Sequence, residues 1–140
     1  MSDPIRVKLL SPLTARYFLH QLPDDQPAWG DCRFSFDPAD DQYDWLVVYE
    51  DLPPQPGMQR DQAVETLACP PANTLLVTSE PSSIKHYGDA FTRQFGCVLT
   101  SQPAWALPQV FPARTNHSTK GPRSGSIVDI ASWTHSELNR

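Results

Sequence analysis

The apolar run Leu75-Leu76-Val77 passes through Thr78 and Ser79 to Glu80, and Pro81 follows at once. A carboxylate at the tip of a strand, partly desolvated by its neighbours, can have its proton affinity raised. It can then act as a general base toward a substrate hydroxyl that attacks an electrophile. Pro81 biases Glu80 to extended backbone. Ser79, Ser82 and Ser83 supply hydroxyls able to orient sugar oxygens. A second acidic strand end is the stretch Tyr49-Glu50-Asp51-Leu52-Pro53. There Glu50 and Asp51 read either as strand-end solvation or as the polar wall of a substrate pocket. From the residues alone Glu80 is either a charged turn or a working base.

Other chemistries find little footing. No G-x-G-x-x-G fingerprint is present, and "STKGPRSGS" lacks the final G-K-[ST] and the preceding strand of a phosphate loop. No G-x-S-x-G elbow occurs. Ser82, His86 and Asp89 are neighbours in sequence, whereas a catalytic triad normally joins distant loops. His20, His86, His117 and His135 show no zinc spacing. The acidic pairs Asp24-Asp25 and Asp40-Asp41 lie in proline-flanked loops and read as solvated turns, so no metal site is expected.

These residues must be held by one domain, since 140 residues suffice for one and not for two. Proline, at 15 residues, is about twice its usual share, which implies short elements and many loops. Residues 1–102 carry a net charge of −7 and residues 103–140 a net charge of +2. The acidic body argues against nucleic-acid binding, which needs cationic surface. Three cysteines at long spacing, Cys32, Cys69 and Cys97, suggest neither a disulfide framework nor a zinc site. Cys97 reads as a small core residue. No signal-peptide pattern opens the chain, and no run approaches a membrane span of about 20 apolar residues. A cytoplasmic location is expected, with attachment at the inner face of the membrane as its variant.

Strands are expected at 5–11, 32–37, 43–53, 74–79 and 97–101, with Trp45 to Tyr49 buried on both faces as in a parallel sheet. Helices are expected at 12–22, with Pro12 in the first turn, and over 89–95, with Asp89 as N-cap and Gly96 as the terminating glycine. Ala63 to Leu67 reads as a short helical turn. The crossover of about 17 residues between 79 and 97 suits a βαβ unit. The expected fold is therefore α/β, an open, mostly parallel Rossmann-like sheet over residues 1–102. Residues 103–140 read as a poorly structured tail with a short strand or helix at 126–133. Ligands of such sheets bind at the carboxyl ends of the strands, where Glu50, Asp51 and Glu80 fall.

The stretch "LLVTSEPSSIKHYGDAFTRQFGCVLTSQP", residues 75–103, resembles bacterial family-ten glycosyltransferases of the α-1,3/4-fucosyltransferase type. The shared pattern is an apolar strand running into an S-E-P element, a turn, an F-x-x-x-F helix and a further strand. "YDWLVVYEDLP", residues 43–53, looks like the strand and acidic turn that precede it. The resemblance covers roughly residues 5–108. It implies one half of a two-domain GT-B-type enzyme, the half that holds the acceptor glycan. It further implies an inverting transfer from GDP-fucose to a glycan hydroxyl, with Glu80 as base, no metal and no cofactor beyond the donor. The donor-binding half has no counterpart in 103–140, so the expectation is a chain truncated or shifted in frame near residue 109. The face normally covered by that half would then favour self-association. The alternatives are a non-catalytic α/β module binding a glycan or a protein, and a structural fragment.

Overall fold

Five segments rich in β-branched and aromatic residues form the scaffold. In the computed structural model, which describes residues 2–59 and 62–103 and the backbone of 129–131, they are strands of one sheet. The strands are β1 (Ile5–Leu10), β3 (Cys32–Ser35), β4 (Trp45–Tyr49), β6 (Thr74–Thr78) and β7 (Cys97–Thr100), all parallel to their neighbours. The two-residue β2 (Ala28–Trp29) adds an antiparallel edge to β3 through a tight hairpin. That hairpin turns at Gly30, whose φ of 55° is one that glycine adopts freely.

The spatial order is β2-β3-β1-β4-β6-β7. The chain thus moves one way from β1 to β3 and the other way from β4 onward. Connections leaving β1 and β4 depart to opposite faces, and a crevice opens at their carboxyl ends, the usual ligand position in open parallel sheets. The α/β expectation holds at this level. The helices are few and short: α1 (Ala15–Leu19) and α2 (Asp89–Thr92).

Register decides which side chains meet. Lys8 pairs with Leu46, Leu10 with Val48, and Val48 with Leu76, which pairs with Val98. These residues share one face, on which Tyr87, Phe91 and Phe95 complete the buried cluster. Phe91 and Phe95 meet edge-on with ring centroids 5.3 Å apart, a favoured aromatic geometry. The opposite face carries Tyr49 and Val77, and α1 covers part of it by packing Phe18 against Tyr49 at 5.2 Å. On that face Trp45 and Leu99 remain exposed, at 37% and 61%. Double-sided burial of Trp45 to Tyr49 is therefore not found: Leu46 and Val48 are buried, Val47 and Tyr49 are half-buried, and Trp45 is exposed.

Several local expectations are corrected. Helix α1 begins three residues after Pro12, because Thr14 is still extended at ψ 152°. Leu22, the residue before Pro23, is also extended and closes the helical stretch. Ala63 to Leu67 is no helical turn: Val64–Thr66 is strand β5, paired antiparallel with β8 (Asp129–Ala131). Its period-2 pattern was masked because the buried residue is charged Glu65, with Val64 and Thr66 exposed. Asp89 is the first residue of α2 rather than its cap, and Thr92 N donates to Gly88 O. Gly96 is required for space: a Cβ there would lie 2.7 Å from the carbonyl oxygens of Pro71 and Ala72. Cys97 is exposed on the edge strand rather than in the core. The expected tail falls outside the described residues, apart from the backbone of β8.

Glu65 explains how a lysine comes to lie in the middle of a buried face. Lys8 Nζ, on a residue only 1% exposed, donates to Glu65 Oε1 at 2.8 Å and to the carbonyls of Pro38 and Asp40 at 2.7 and 2.8 Å. The Tyr43 hydroxyl donates to the same Glu65 oxygen at 2.9 Å, and it accepts from Ala68 N. Burial pushes the Tyr43 phenol well above its ordinary range. The network ties β1, the 38–40 loop and β5 together, with the ammonium's three protons all used.

Removing one member of this buried pair leaves the other charge uncompensated. Lys8→Met is expected to cost about 3–5 kcal/mol in urea denaturation, and a Lys8→Met/Glu65→Met double variant to recover most of it. A single-variant loss below about 1 kcal/mol would place the pair outside the stabilising framework. Gly96→Ala is expected to cost about 1–3 kcal/mol by the same measurement, through the clash with the 71–72 carbonyls.

Candidate functional site

At the end of β4 the backbone makes a sharp departure. Glu50 has φ 71°, and Asp51 N donates to Tyr49 O at 3.0 Å, a three-residue γ-turn in its positive-φ form. That conformation is rare for a side chain larger than glycine and persists where surroundings over-determine it. Here they do. Glu50 N continues the ladder to Val77 O at 2.9 Å, so the turn starts from a fixed point.

The turn aims the Glu50 carboxylate across the end of β6. Its Oε1 accepts from Ser79 Oγ at 2.6 Å and from Ser79 N. Its Oε2 accepts from the Tyr87 hydroxyl and from Lys85 Nζ at 3.3 Å. The Lys85 ammonium also sits 4.8 Å from the centroid of the Tyr87 ring. Burial works to raise the Glu50 pKa, but the Ser79 and Tyr87 hydrogen bonds and the Lys85 charge outweigh it and hold the carboxyl below its ordinary range. The Tyr87 phenol is pushed far above its own range, by burial and then by the adjacent carboxylate. Glu50 is therefore a fixed anion, unsuited to accept a proton near neutral pH.

Glu80 stands two strands from β1, beyond Ser79, on the same edge. Residues 81–85 fold back in a turn, with Ile84 N and Lys85 N both donating to Pro81 O. Gln102, 5% exposed, clamps that turn: its Nε2 donates to Glu80 O at 2.8 Å and Lys85 O at 3.0 Å. Two carbonyl acceptors fix the amide orientation, which leaves Gln102 Oε1 buried without a donor among the described residues. The backbone on both sides of Glu80 is thus held. Its carboxylate takes no hydrogen bond among the described residues.

These parts surround a cleft of about 560 Å³. One wall is Pro12, Leu13 and Tyr17, from the segment that follows β1; the facing wall is Ser79, Glu80, Ile84 and Lys85. Tyr49 and Glu50 form the floor between them. The volume is that of an ordinary small-ligand site. The cleft lies at the carboxyl ends of β1, β4 and β6, where the strand order reverses.

Of the expected site residues, Glu80, Ser79 and Glu50 meet in this cleft. Ser82 and Ser83 lie in the turn behind it, outside its walls. Asp51 is fully buried and outside the walls too, with Oδ1 accepting from Leu52 N at 2.8 Å. Sequence reasoning missed Lys85, Tyr87, Tyr17 and Tyr49. The usable signal was chemical: a strand-end acid needs donors, and the loop after the adjacent strand carries a lysine and a tyrosine. No group of three or more His, Cys, Asp or Glu side chains is placed to hold a metal ion among the described residues. No helix there is long and apolar enough to cross a membrane. Comparisons with family models, with curated proteins and with solved structures find no match to this chain.

Because its folded-state pKa is depressed, Glu50 contributes stability that is present above the unfolded carboxyl pKa of about 4.3 and is lost as pH falls through the lower folded value. Denaturant midpoints measured between pH 6 and pH 3 are expected to fall more steeply for the natural sequence than for Glu50→Gln. Parallel acid limbs would contradict the assignment of Glu50 as a hydrogen-bonded anion.

Proposed function

We propose that the cleft binds a sugar and that Glu80 acts as general base toward one of its hydroxyls, in a glycosyl transfer of the fucosyltransferase type. The observation that carries the proposal is the contrast between two carboxylates in one cleft. Glu50 is saturated with donors and held as an anion, whereas Glu80 lines the cleft from a held backbone and its carboxylate takes no hydrogen bond among the described residues. Two carboxylates so differently hydrogen-bonded can serve separate roles. Glu50 and Lys85 orient polar groups, and Glu80 takes the proton.

The remaining walls suit a carbohydrate. Tyr17 and Tyr49 supply aromatic surface for the C–H side of a pyranose, and Glu50, Ser79 and Lys85 supply polar groups for its hydroxyls. A sugar hydroxyl is a weak nucleophile at neutral pH, so proton removal in the transition state lowers its barrier. The base form of Glu80 is the carboxylate. As the new C–O bond forms at the anomeric carbon, the hydroxyl proton passes to Glu80 and the nucleoside diphosphate departs with the electron pair of the broken bond. GDP-fucose as donor and inversion at the anomeric carbon rest on the resemblance of residues 43–53 and 75–103.

The second reading is a non-catalytic glycan-binding module. It is favoured by one specific feature: nothing in the described structure orients the Glu80 carboxylate by hydrogen bonding, as a positioned base generally requires.

Transfer from GDP-fucose to a panel of free oligosaccharides separates the two. Glu80→Gln is expected to lower kcat by about 10²- to 10⁴-fold while leaving acceptor affinity within about twofold. Tyr17→Ala is expected to weaken sugar binding with less effect on kcat. Sugar binding with no turnover, also when a donor-binding half is supplied in trans, would establish the binding module; absence of sugar binding would overturn both.

A further inference from the structure

We infer that the sugar recognised in the cleft carries a small apolar aglycone, and that the aglycone is seated in a second cavity continuous with the first. This inference rests on the sugar-binding reading and specifies its ligand class. The second cavity measures about 220 Å³ and lies under the segment between β1 and α1. Its walls include Leu9, Ala15, Phe18, Phe36 and Pro54. Pro12 and Leu13 line it too, and the same two residues form a wall of the polar cleft.

Three observations join the two spaces. The first is this shared wall. The second is a chain of aromatic rings running from one to the other. Tyr17 and Tyr49, in the cleft, have centroids 6.3 Å apart; Tyr49 meets Phe18 at 5.2 Å, and Phe18 stacks on Phe36 at 6.0 Å in the cavity. The third is that no charged side chain lines the cavity. Ser11, the buried hydroxyl at the cavity, has its Oγ engaged by Leu13 N at 3.1 Å. Thr14 adds a second hydroxyl to the wall, and the rest of the lining is aliphatic, aromatic or proline.

Size selects the occupant. The cavity falls below the roughly 300–1,000 Å³ of independent small-molecule sites, so it suits an appendage of a ligand anchored next door. An aryl ring or a short branched alkyl group attached at the anomeric oxygen has this dimension. The cavity exists because α1 is only five residues long: starting at Ala15, it leaves the approach from Ser11 to Thr14 without a helical side chain to fill the space beneath. A cleft lined by Glu50, Glu80 and Lys85 beside a cavity with no charged side chain thus discriminates a glycoside from a free sugar by the aglycone.

The test is calorimetric titration of the full chain with methyl and phenyl β-glycosides of glucose, galactose and N-acetylglucosamine. Within the pair whose sugar binds, the phenyl glycoside is expected to bind roughly tenfold tighter or more, from burial of the ring. Two filling variants, Ala15→Phe at the cavity wall and Pro54→Phe on the facing loop, are expected to abolish that difference and leave the methyl glycoside unchanged. Either variant alone suffices if the other fails to fold. Equal affinity for methyl and phenyl glycosides overturns the inference and leaves the sugar-binding reading intact. A preference that survives filling overturns it as well. Failure of every glycoside to bind overturns both.

Discussion

A nearly buried carboxylate must be satisfied, and the carboxyl edge of this protein is arranged around satisfying Glu50. Its donors come from the end of β6, through Ser79, and from the connection beyond, through Lys85 and Tyr87. Its own backbone is the outlier of the sheet, turned at positive φ so that the side chain reaches across rather than away. A γ-turn of this form costs free energy, and the hydrogen bonds offset it. One consequence is mechanical: β4, β6 and the 79–87 segment cannot move independently at their carboxyl ends. The other is chemical, because the donors hold Glu50 as an anion.

The sheet order decides where that edge can work. In an open parallel sheet, connections from the two strands flanking a reversal diverge, and the space between them is bounded but not filled. Here the reversal lies between β1 and β4. The segment after β1 supplies apolar and aromatic wall, and the turns after β4 and β6 supply charge. At the opposite, amino-terminal side, the Lys8–Glu65–Tyr43 network fixes β5 against β1 and takes no part in the cleft. The buried Lys8–Glu65 network and the cleft thereby lie at different ends of the same sheet.

How much of this was legible in the sequence follows from which signal each element carries. β1, β4, β6 and β7 announce themselves by apolar runs, and the register that results puts Glu50 and Glu80 on one edge. β5 was illegible because its inward residue is charged, so hydrophobic periodicity reports the wrong face. Cys97 was misassigned because an edge strand exposes residues that a central one would bury. The role proposed for Glu80 draws on its strand-end position, which was readable, and on its contrast with Glu50, which was not. The role of Glu50 depends on Tyr87 and Lys85, more than thirty residues away, and on a backbone angle. None of these has a local signature. Ser82 and Ser83 show the converse limit: proximity in sequence to Glu80 does not carry them into the cleft, since the turn from Pro81 places them behind it.

The central claim is that a glycoside occupies the carboxyl edge at the point where the strand order reverses. Amide chemical-shift mapping during titration with a phenyl β-glycoside tests it most directly. The account predicts that the perturbed amides cluster in three segments, 11–18, 49–51 and 79–87, and that Glu80→Gln retains the pattern. Perturbations concentrated on the exposed face around Trp45 and Leu99, or an unchanged spectrum at saturating glycoside, would contradict it.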